Sequence, residues 1–281
     1  MLPKVILITG CSSGIGYEAA ITLSKRGHKV ICSCRRQEDV DTLIQQGLST
    51  VQLDVTDAIS VGTAIEETLK MTNGRIDVLI NNAGYGQGGA LEDIPTHVLF
   101  EQFSTNVFGI MEVIRHVIPI MRKQQSGRII NMSSVLGLVS LPFRGAYNAS
   151  KYAVEGLSDT LRLELKSSGI DVISIEPGPI ESRFRDTVVD FSLKKIDVDK
   201  SYFKPQYEQM LKEFRQKKTD SRFTKKPNVV INKIIHAIES KRPKAKYPVT
   251  IPAHGLGILK RVLPVKVLDY LLRYISKKEL Q

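Results

Sequence analysis

A tyrosine and a lysine four residues apart, with a serine upstream, are the residues of this chain best suited to chemistry. Tyr147 and Lys151 lie in the sequence Tyr-Asn-Ala-Ser-Lys, and Ser134 lies thirteen residues before the tyrosine. On a helix the lysine would lie one turn further along the same face. Its ammonium would favour the phenolate and lower a pKa that is normally about 10. A serine hydroxyl beside the phenol could hold a carbonyl oxygen, so the set predicts interconversion of an alcohol with a ketone or aldehyde.

A glycine-rich turn near the N-terminus predicts the hydride partner that such chemistry needs. Thr9-Gly-Cys-Ser-Ser-Gly-Ile-Gly16 stands between an apolar run, Val5–Ile8, and a stretch of helical spacing. Glycines let a phosphate approach the backbone, and the following helix N-terminus offers N–H groups to a pyrophosphate. The candidate cofactor residues of this turn are Gly10, Ser12, Ser13, Gly14, Ile15 and Gly16. The spacing differs from Gly-x-Gly-x-x-Gly, and a glycine-rich turn without a ligand is the alternative.

The end of the second predicted strand indicates which nicotinamide cofactor would bind. An acidic residue there would bind the ribose hydroxyls of NAD, whereas arginine accommodates the 2′-phosphate of NADP. Here Cys34 is followed by Arg35 and Arg36, and two guanidinium groups suit a phosphate monoester. We therefore expect NADP(H); the alternative is a solvated arginine pair at the start of a helix.

Two further strand ends supply cofactor candidates. Asp54 and Val55 follow the third predicted strand, where the carboxylate would reach the adenine amino group. Asn82, Ala83 and Gly84 follow the fourth, where small residues would let the cofactor pass close to the backbone.

Strand-like and helix-like segments alternate along the chain. The predicted strands are 5–8, 29–34, 50–54, 76–80, 128–132, 171–175 and 246–250. The predicted helices begin behind the glycine-rich turn and then cover about 37–46, 58–72, 97–124, 147–168, 202–218 and 228–240. This order predicts an α/β fold, a single Rossmann-like doubly wound parallel sheet of about seven strands with helices on both faces.

The motifs, taken in order, resemble the short-chain dehydrogenase/reductase family in its ordinary form. They are Thr-Gly-x-x-x-Gly-x-Gly, Asn-Asn-Ala-Gly, Ser with Tyr-x-x-x-Lys, and Pro-Gly, at Thr9–Gly16, Asn81–Gly84, Ser134 to Lys151 and Pro177–Gly178. The resemblance covers about 1–185 strongly and 185–250 weakly. It is greatest for the branch that contains retinol and 17β-hydroxysteroid dehydrogenases and bacterial aldehyde reductases.

By this resemblance Ser134, Tyr147 and Lys151 are the catalytic triplet, and Asn106 is the fourth member. The implied roles are a hydrogen bond from the serine to the substrate oxygen and proton exchange by the tyrosine. The lysine would also hold the nicotinamide ribose, so Tyr147 and Lys151 count as cofactor residues too. Asn106 would hold a water that relays protons to the lysine. Ser133 is the alternative serine, which the spacing disfavours.

The Pro-Gly motif implies further cofactor contacts. Pro177 and Gly178 would contact the cofactor, and Ile180 would cover the nicotinamide. The family often has a threonine a few residues later that binds the carboxamide. Here Ser182 takes its place.

The resemblance also places a substrate lid at about 183–227. Aromatic residues in it, and residues after Asn-Asn-Ala-Gly and between the serine and tyrosine, indicate an apolar pocket. They are Phe184, Phe191, Tyr202, Phe203, Tyr207, Phe214, Tyr85, Gln87, Leu141, Pro142 and Phe143. We expect a hydrophobic aldehyde, ketone, retinoid or steroid-like alcohol, although each aromatic alone is typical of lid packing.

The excess of positive over negative charge lies wholly in the last third of the chain. The net charge is +11 overall, −3 over residues 1–193 and +14 over 194–281. We expect residues 1–252 to form the Rossmann-like domain and 253–281 an amphipathic extension broken by Pro264. A basic amphipathic helix can lie on an anionic membrane; covering the substrate pocket or a subunit interface is the favoured alternative. The family resemblance implies a homo-oligomer, a dimer or tetramer.

Two rival functions differ from the dehydrogenase prediction. A non-catalytic NADP(H) sensor on the same fold predicts loss of the tyrosine or lysine, and both are present. A nucleic-acid-binding protein would need a recognition motif or a stacking platform, which the basic third lacks. We expect no nucleic-acid partner and no metal, since Cys11, Cys32 and Cys34 have no zinc spacing with histidine. Reduced thiols and the lack of a signal peptide favour a cytoplasmic protein, with peripheral membrane contact as an option.

Overall fold

A parallel β-sheet forms the centre of the molecule. The computed structural model describes residues 2–181, 193–215 and 224–279, and within them the sheet has seven strands in the order β3-β2-β1-β4-β5-β6-β7. The strands are β1 Val5–Ile8, β2 Lys29–Cys34, β3 Ser49–Gln52, β4 Val78–Asn81, β5 Gly127–Met132, β6 Ile170–Glu176 and β7 Lys246–Pro248. All neighbouring pairs are parallel, which confirms the predicted doubly wound sheet.

Helices connect the strands and cover both faces of the sheet. They are α1 Gly14–Lys25, α2 Gln37–Gln45, α3 Ala58–Met71, α4 Thr96–Phe103, α5 Gly109–Gln124, α6 Gly145–Glu164, α7 Lys204–Arg215, α8 Asn228–Glu239, α9 Ile251–Val262 and α10 Val265–Glu279. Short turns of tighter helix lie at Leu91–Asp93, Val135–Gly137 and Val198–Lys200.

Alternation along the strands decides which helix layer each residue contacts. Ile6 and Ile8 of β1 are buried in the cluster that α1, α2 and α8 form on one face. Leu7, between them, is buried against α3, α5 and α6 on the other. Since both faces are covered, the strands can be continuously apolar. Each such side chain stabilises the fold by about 1.5–3 kcal/mol when fully buried.

The long helix predicted over 97–124 is interrupted. A turn of π-helix, Ser104–Phe108, separates α4 from α5, and it contains Asn106. Insertions of this kind are frequent at functional sites because they re-aim a side chain. Here the Asn106 amide turns inward to bond the loop after β4. Gly109, at the start of α5, packs so closely that a Cβ would lie 2.7 Å from the Val55 carbonyl oxygen.

The C-terminal residues form two helices, α9 and α10, that pack as a pair. Thr250 caps α9 by accepting a 3.4 Å hydrogen bond from the Ala253 N–H. Pro264 lies in the break between the helices, as the sequence predicted. Leu268 and Leu272 of α10 are buried against a cluster that includes Val135 and Leu136, next to Ser134. The extension therefore packs on the loop that carries the predicted catalytic serine.

Candidate active site

A cleft opens at the carboxyl edge of the sheet, where β1 and β4 are neighbours although the chain leaves them in opposite directions. Ligands of doubly wound sheets bind at such a switch point. The cleft has a volume of about 950 Å³. The predicted site residues that line it are Gly10, Ser12, Ser13, Gly14, Ile15, Arg35, Arg36, Asp54, Val55, Asn82, Ala83, Gly84, Ser134, Tyr147, Lys151, Pro177, Gly178 and Ile180. Gly16 and Asn106 lie behind its wall, and Ser182 is outside the described residues.

Two glycines of the first loop are required by close packing. Gly10 has φ of +72°, and a Cβ there would lie 2.8 Å from the Ala83 Cα. A Cβ on Gly16 would lie 2.3 Å from the Gly10 carbonyl oxygen. Gly16 therefore does not line the cleft; it lets α1 approach the loop closely.

The start of α1 faces open space. No described atom lies within 4 Å of the point where a Cβ on Gly14 would be. Ser13, at the N-cap, makes no side-chain capping hydrogen bond with any described residue. The first N–H groups of the helix are thus uncapped by a side chain and can bind an anion.

Asn82 braces this loop with its side chain. Its amide group donates hydrogen bonds to the carbonyl oxygens of Thr9 and Gly10, at 3.0 and 2.8 Å. The Thr9 hydroxyl accepts from the N–H groups of Asn82 and Ala83, each at 3.0 Å. Asn82 lines the cleft, and its amide donors hold the loops after β1 and β4 together.

Two arginines and a carboxylate lie at the end of β2. Arg35 and Arg36 are exposed and line the cleft, as does Asp39 in the first turn of α2. Asp39 lies close enough to Cys34 to contribute to the raised pKa of that thiol, after burial. The sequence analysis did not consider Asp39, although an acidic residue in a first helical turn is a common signal.

Asp54 forms a compact turn after β3. Its Oδ1 accepts from the N–H of Thr56 at 2.9 Å and from the Thr56 hydroxyl at 2.7 Å. The turn fixes the carboxylate at the cleft wall beside Val55.

Ser134 and Tyr147 are brought together at the other end of the cleft. The Ser134 Oγ accepts a 3.1 Å hydrogen bond from the Leu136 N–H, which fixes the hydroxyl at the start of a short helical turn. A hydrogen bond joins the Ser134 hydroxyl to the Tyr147 phenol. The neighbouring Ser133 Oγ is buried without a partner among the described residues. Of the two serines, Ser134 is thus the one that contacts the tyrosine.

Burial raises the pKa of Tyr147 to about 12. The hydrogen bond from Ser134 and the positive charge of Arg144 act in the opposite direction but do not outweigh desolvation. The lowered pKa predicted from the sequence is therefore wrong for this arrangement. The phenol retains its proton at neutral pH, as a proton donor must.

Lys151 lies one turn after Tyr147 on α6. Its Nζ donates a 2.6 Å hydrogen bond to the Met132 carbonyl oxygen and lies 5.6 Å from the centroid of the Tyr147 ring. Burial lowers the pKa of Lys151 to about 8, and Glu155, a further turn along α6, opposes this fall.

Asn106 is fully buried within the π-helical turn. Its Nδ2 donates to the Tyr85 carbonyl oxygen at 2.9 Å and to Ser150 Oγ at 3.1 Å. Its Oδ1 accepts from the Tyr85 N–H at 3.1 Å. Asn106 therefore links the loop after β4 to α6, between Tyr147 and Lys151.

A partly buried group of charges lies near the end of β6, and the sequence did not predict it. The Lys246 Nζ donates to Glu155 Oε2 at 2.7 Å and to Asp159 Oδ2 at 3.0 Å. Glu176, only 3% exposed, has its pKa raised to about 7 by burial and then by the charge of Glu155. Its residues come from α6, β6 and β7, and no sequence pattern indicates that they meet.

The substrate side contains a strained loop. Phe143 has φ of +58°, a conformation that a non-glycine residue adopts only when its surroundings impose it. Its ring contacts the rings of Phe203 and Tyr207, with centroids 5.3 and 5.7 Å apart. The buried Tyr207 hydroxyl accepts from the Ala90 N–H at 2.7 Å. Tyr207 thus packs the predicted lid segment against Ala90 and Phe143.

Other predicted lid aromatics differ in placement. Tyr202 is 82% exposed. Phe184 and Phe191 lie outside the described residues, as does the Phe214 side chain.

Comparison with known proteins decides the family. The family model for short chain dehydrogenase matches residues 4–192. The chain is a member of the short-chain dehydrogenase/reductase family. This establishes an oxidoreductase and confirms the resemblance seen in the sequence.

Curated relatives cover most of this family member. The uncharacterized oxidoreductase YbbO of Escherichia coli K12 is 40% identical over 273 residues, 97% of this chain and 95% of that protein. Human retinol dehydrogenase 8 is 32% identical over 276 residues, 92% and 86% of the two chains. A 3-ketodihydrosphingosine reductase of Bacteroides thetaiotaomicron is 42% identical over 186 residues, 66% and 67%.

Solved structures share the fold over nearly the whole chain. A short-chain dehydrogenase from Streptomyces avermitilis has a TM-score of 0.74 at 27% identity, covering 99% of this chain and 96% of that one. A serine dehydrogenase complexed with NADP+ has 0.71 at 25% identity, covering 88% and 94%. A family member from Burkholderia phymatum in complex with NAD has 0.74 at 26% identity, covering 92% of each chain.

The residues present fit a dinucleotide of the kind that the family binds. Gly14, at the start of α1, faces open space, since nothing described lies within 4 Å of a Cβ built there. The uncapped start of α1 suits a pyrophosphate. Arg35 and Arg36 offer charge to a further phosphate. Tyr147 and Lys151 lie in the same cleft.

The described residues lack both a metal-binding cluster and a membrane-spanning helix. They contain no group of three or more histidine, cysteine, aspartate or glutamate side chains that could hold a metal ion. No described helix is both long and apolar enough to cross a membrane. The three cysteines are buried and free.

Proposed function

We propose that this family member is an NADP(H)-dependent reductase or dehydrogenase that acts on the carbonyl or alcohol of a hydrophobic substrate. The observation that carries the proposal is the hydrogen-bonded pair of Ser134 and Tyr147 in a cleft that Arg35, Arg36 and the uncapped start of α1 also line. Proton donor and phosphate-binding groups share one cleft.

Ser134 and Tyr147 handle the oxygen of the substrate. Ser134 donates a hydrogen bond to the carbonyl oxygen, where negative charge develops during reduction. Tyr147 donates its proton to the same oxygen and takes it back in the oxidation direction. The hydride is the chemistry that NADP(H) supplies when bound.

Lys151 and Asn106 support the tyrosine. Lys151 binds the ribose of the cofactor and, since its pKa lies near 8, exchanges protons at working pH. Asn106 fixes the loop after β4 against α6 through Tyr85 and Ser150. A water held beside Asn106 would pass protons from solvent to Lys151.

The preference for NADP(H) over NAD(H) rests on the end of β2. Two guanidinium groups stand there against one carboxylate, Asp39, so the local charge favours a phosphate. Structural neighbours with either cofactor exist, and the arginine pair is what distinguishes the two for this chain.

A hydrophobic substrate is supported by the apolar residues at the catalytic end of the cleft. Leu141, Val135, Leu136 and Ile180 line it there. Two relatives act, by their names, on retinol and on 3-ketodihydrosphingosine, which are both largely hydrocarbon. We propose a substrate of similar polarity.

The assembly and compartment follow as subsidiary proposals. Phe100 and Phe108, on α4 and the π-helical turn, are 65% and 52% exposed. Large exposed aromatics are typical of subunit interfaces, which supports a homo-oligomer. Free buried cysteines support a cytoplasmic protein.

A substrate panel tests the proposal. Purified protein is mixed with NADPH and, separately, with retinal, a long-chain aldehyde, a 3-keto sphingoid base, a ketosteroid and a short polar aldehyde. Oxidation of the cofactor is followed at its absorbance band. We expect turnover with at least one hydrophobic carbonyl and a preference over the short aldehyde. Turnover of the short aldehyde alone, or equal use of NADH throughout, would contradict the proposal.

A further inference from the structure

The outer face of the C-terminal helix pair carries large apolar side chains that are at least half exposed. Four of them, on α9 and α10, are between 50% and 77% exposed. They are Ile258, Val262, Val267 and Tyr270, and together they are here named the tail surface. Isolated exposed apolar residues are ordinary, but a contiguous set on one element marks an interaction site.

The helical positions separate this surface from the part of the pair that stabilises the fold. On α10 the buried residues are Leu268 and Leu272, one turn apart, and they face the cluster beside Ser134. Val267 and Tyr270, three residues apart, are exposed and lie on the far side of the helix. The inner face packs on the body of the protein, and the exposed outer face is available to a partner.

Basic side chains accompany the tail surface. Arg261, Lys266 and Arg273, on the same two helices, are also exposed. Asp269 is the one acidic residue between 251 and 276. Lys260 differs, because its Nζ donates a 2.7 Å hydrogen bond to the Tyr152 hydroxyl and so faces the body of the protein.

We propose that the tail surface binds an anionic membrane surface. A helix with an apolar stripe and flanking Lys and Arg lies in the plane of the interface, its apolar side chains among the acyl chains and its cations on the headgroups. Here Tyr270 would lie at headgroup depth, where its amphipathic ring is favoured.

A second copy of the chain fits this surface less well. In a two-fold dimer the same patch faces itself, so Arg261, Lys266 and Arg273 would meet their own counterparts with little acidic charge to neutralise them. Anionic lipid supplies the complementary charge that a second copy lacks.

The inference goes beyond the proposed reaction and does not depend on it. The helix pair packs on the loop that carries Ser134 with its inner face and presents the tail surface on its outer face. Membrane contact would therefore bring the cleft close to substrates dissolved in the lipid. A cleft that acts on a water-soluble compound would leave the binding prediction unchanged.

Vesicle co-sedimentation tests the electrostatic part. The full chain is mixed with phosphatidylcholine vesicles that contain about 30% phosphatidylserine, and with pure phosphatidylcholine vesicles. We expect at least tenfold tighter binding to the anionic vesicles and loss of the difference in high salt. Each cation near such a surface contributes about fivefold, so the combined variant Arg261→Gln, Lys266→Gln, Arg273→Gln should bind about a hundredfold more weakly.

Three lysines elsewhere provide a charge-matched control. Lys70, Lys123 and Lys166 are exposed near the C-terminal ends of α3, α5 and α6, at the edge of the sheet away from the cleft. Their combined change to glutamine removes the same charge and should leave vesicle binding within about fivefold of the unchanged chain. An equal fall in both triple variants would overturn the proposal, because net charge alone would then explain it.

A second pair of changes tests the apolar part. Val262→Ser with Tyr270→Ser keeps every cation and should weaken binding by about tenfold or more, since apolar area is lost from the contact. Sedimentation equilibrium is run on the same variants without vesicles. Failure of the unchanged chain to bind anionic vesicles would refute the proposal. So would a change in oligomer mass with unaltered vesicle binding, because the surface would then be covered by a second copy.

Discussion

The Lys151 ammonium is tied to the end of β5 by a 2.6 Å hydrogen bond to the Met132 carbonyl oxygen. This contact fixes the lysine at the base of the cleft, 5.6 Å from the ring centroid of Tyr147. The lysine is thus held by the sheet as well as by its helix. Its charge state depends on burial, which lowers its pKa, and on Glu155, which opposes that effect.

We predict that Lys151 of the cofactor-free chain loses its proton as the pH rises through about 8. Removing the charge of Glu155 removes the opposing influence, so Glu155→Gln should move the midpoint to lower pH. The titration can be followed by NMR of protein labelled at the lysine ε-carbon. Asp159→Asn is the matched control, since Asp159 also binds Lys246. A midpoint that rises in Glu155→Gln would contradict the assignment.

The free energy of unfolding should change with pH because the carboxyl group of Glu176 titrates. Its pKa is raised from 4.5 to about 7 in the folded chain, so the folded state binds the proton more tightly than the unfolded state does. Its contribution is therefore fully present below about pH 4.5 and is lost as the pH rises through 7, by roughly 3 kcal/mol in total.

Glu176→Gln removes this dependence. Relative to the unchanged chain, the variant should gain stability between pH 5 and pH 8, which urea unfolding at the two pH values would measure. Glu181→Gln is a control at an exposed position a few residues away. A gap between Glu176→Gln and the unchanged chain that stays constant with pH would show that Glu176 does not titrate in this range.

Combined Arg35→Ala and Arg36→Ala substitution should weaken NADPH binding by about a hundredfold and NADH binding by less than about threefold. The reason is that only NADPH carries the phosphate that the guanidinium groups would bind. Dissociation constants from fluorescence titration check this. Equal weakening of both cofactors would place the phosphate elsewhere.

Asp39→Asn tests the other half of cofactor preference. Asp39 lines the cleft near the arginines, and its carboxylate repels a phosphate. The variant should bind NADPH several-fold more tightly and leave NADH unchanged or weaker, in the same titration. Tighter NADH with unaltered NADPH would rule out this role for Asp39.

The sequence was sufficient to predict the sheet, because continuous apolar strands alternate with helices and glycines punctuate the ends. The seven predicted strands correspond to the seven observed strands, and their boundaries differ by a few residues. β7 ends at Pro248 rather than at Thr250, since its partner strand β6 ends at Glu176, opposite Pro248.

The sequence did not predict the tertiary contacts that shape the site. The π-helical turn at Asn106 breaks a stretch whose periodicity is helical throughout, because a buried amide bonds a distant loop. The pKa of Tyr147 depends on desolvation, which a spacing of four residues cannot reveal. The group of Glu155, Glu176 and Lys246 brings together three separate elements. Asn82 has the predicted position, but its donors are used within the protein.

Replacement of Tyr147 by phenylalanine tests the central claim most directly. The change removes only the phenolic proton, so we expect turnover of the best carbonyl substrate to fall by at least about a hundredfold while the NADPH dissociation constant is unchanged. Tyr152→Phe, one turn further on the same helix and hydrogen-bonded to the Leu138 carbonyl oxygen instead of lining the cleft, should keep its activity. Retained turnover in Tyr147→Phe would contradict the account.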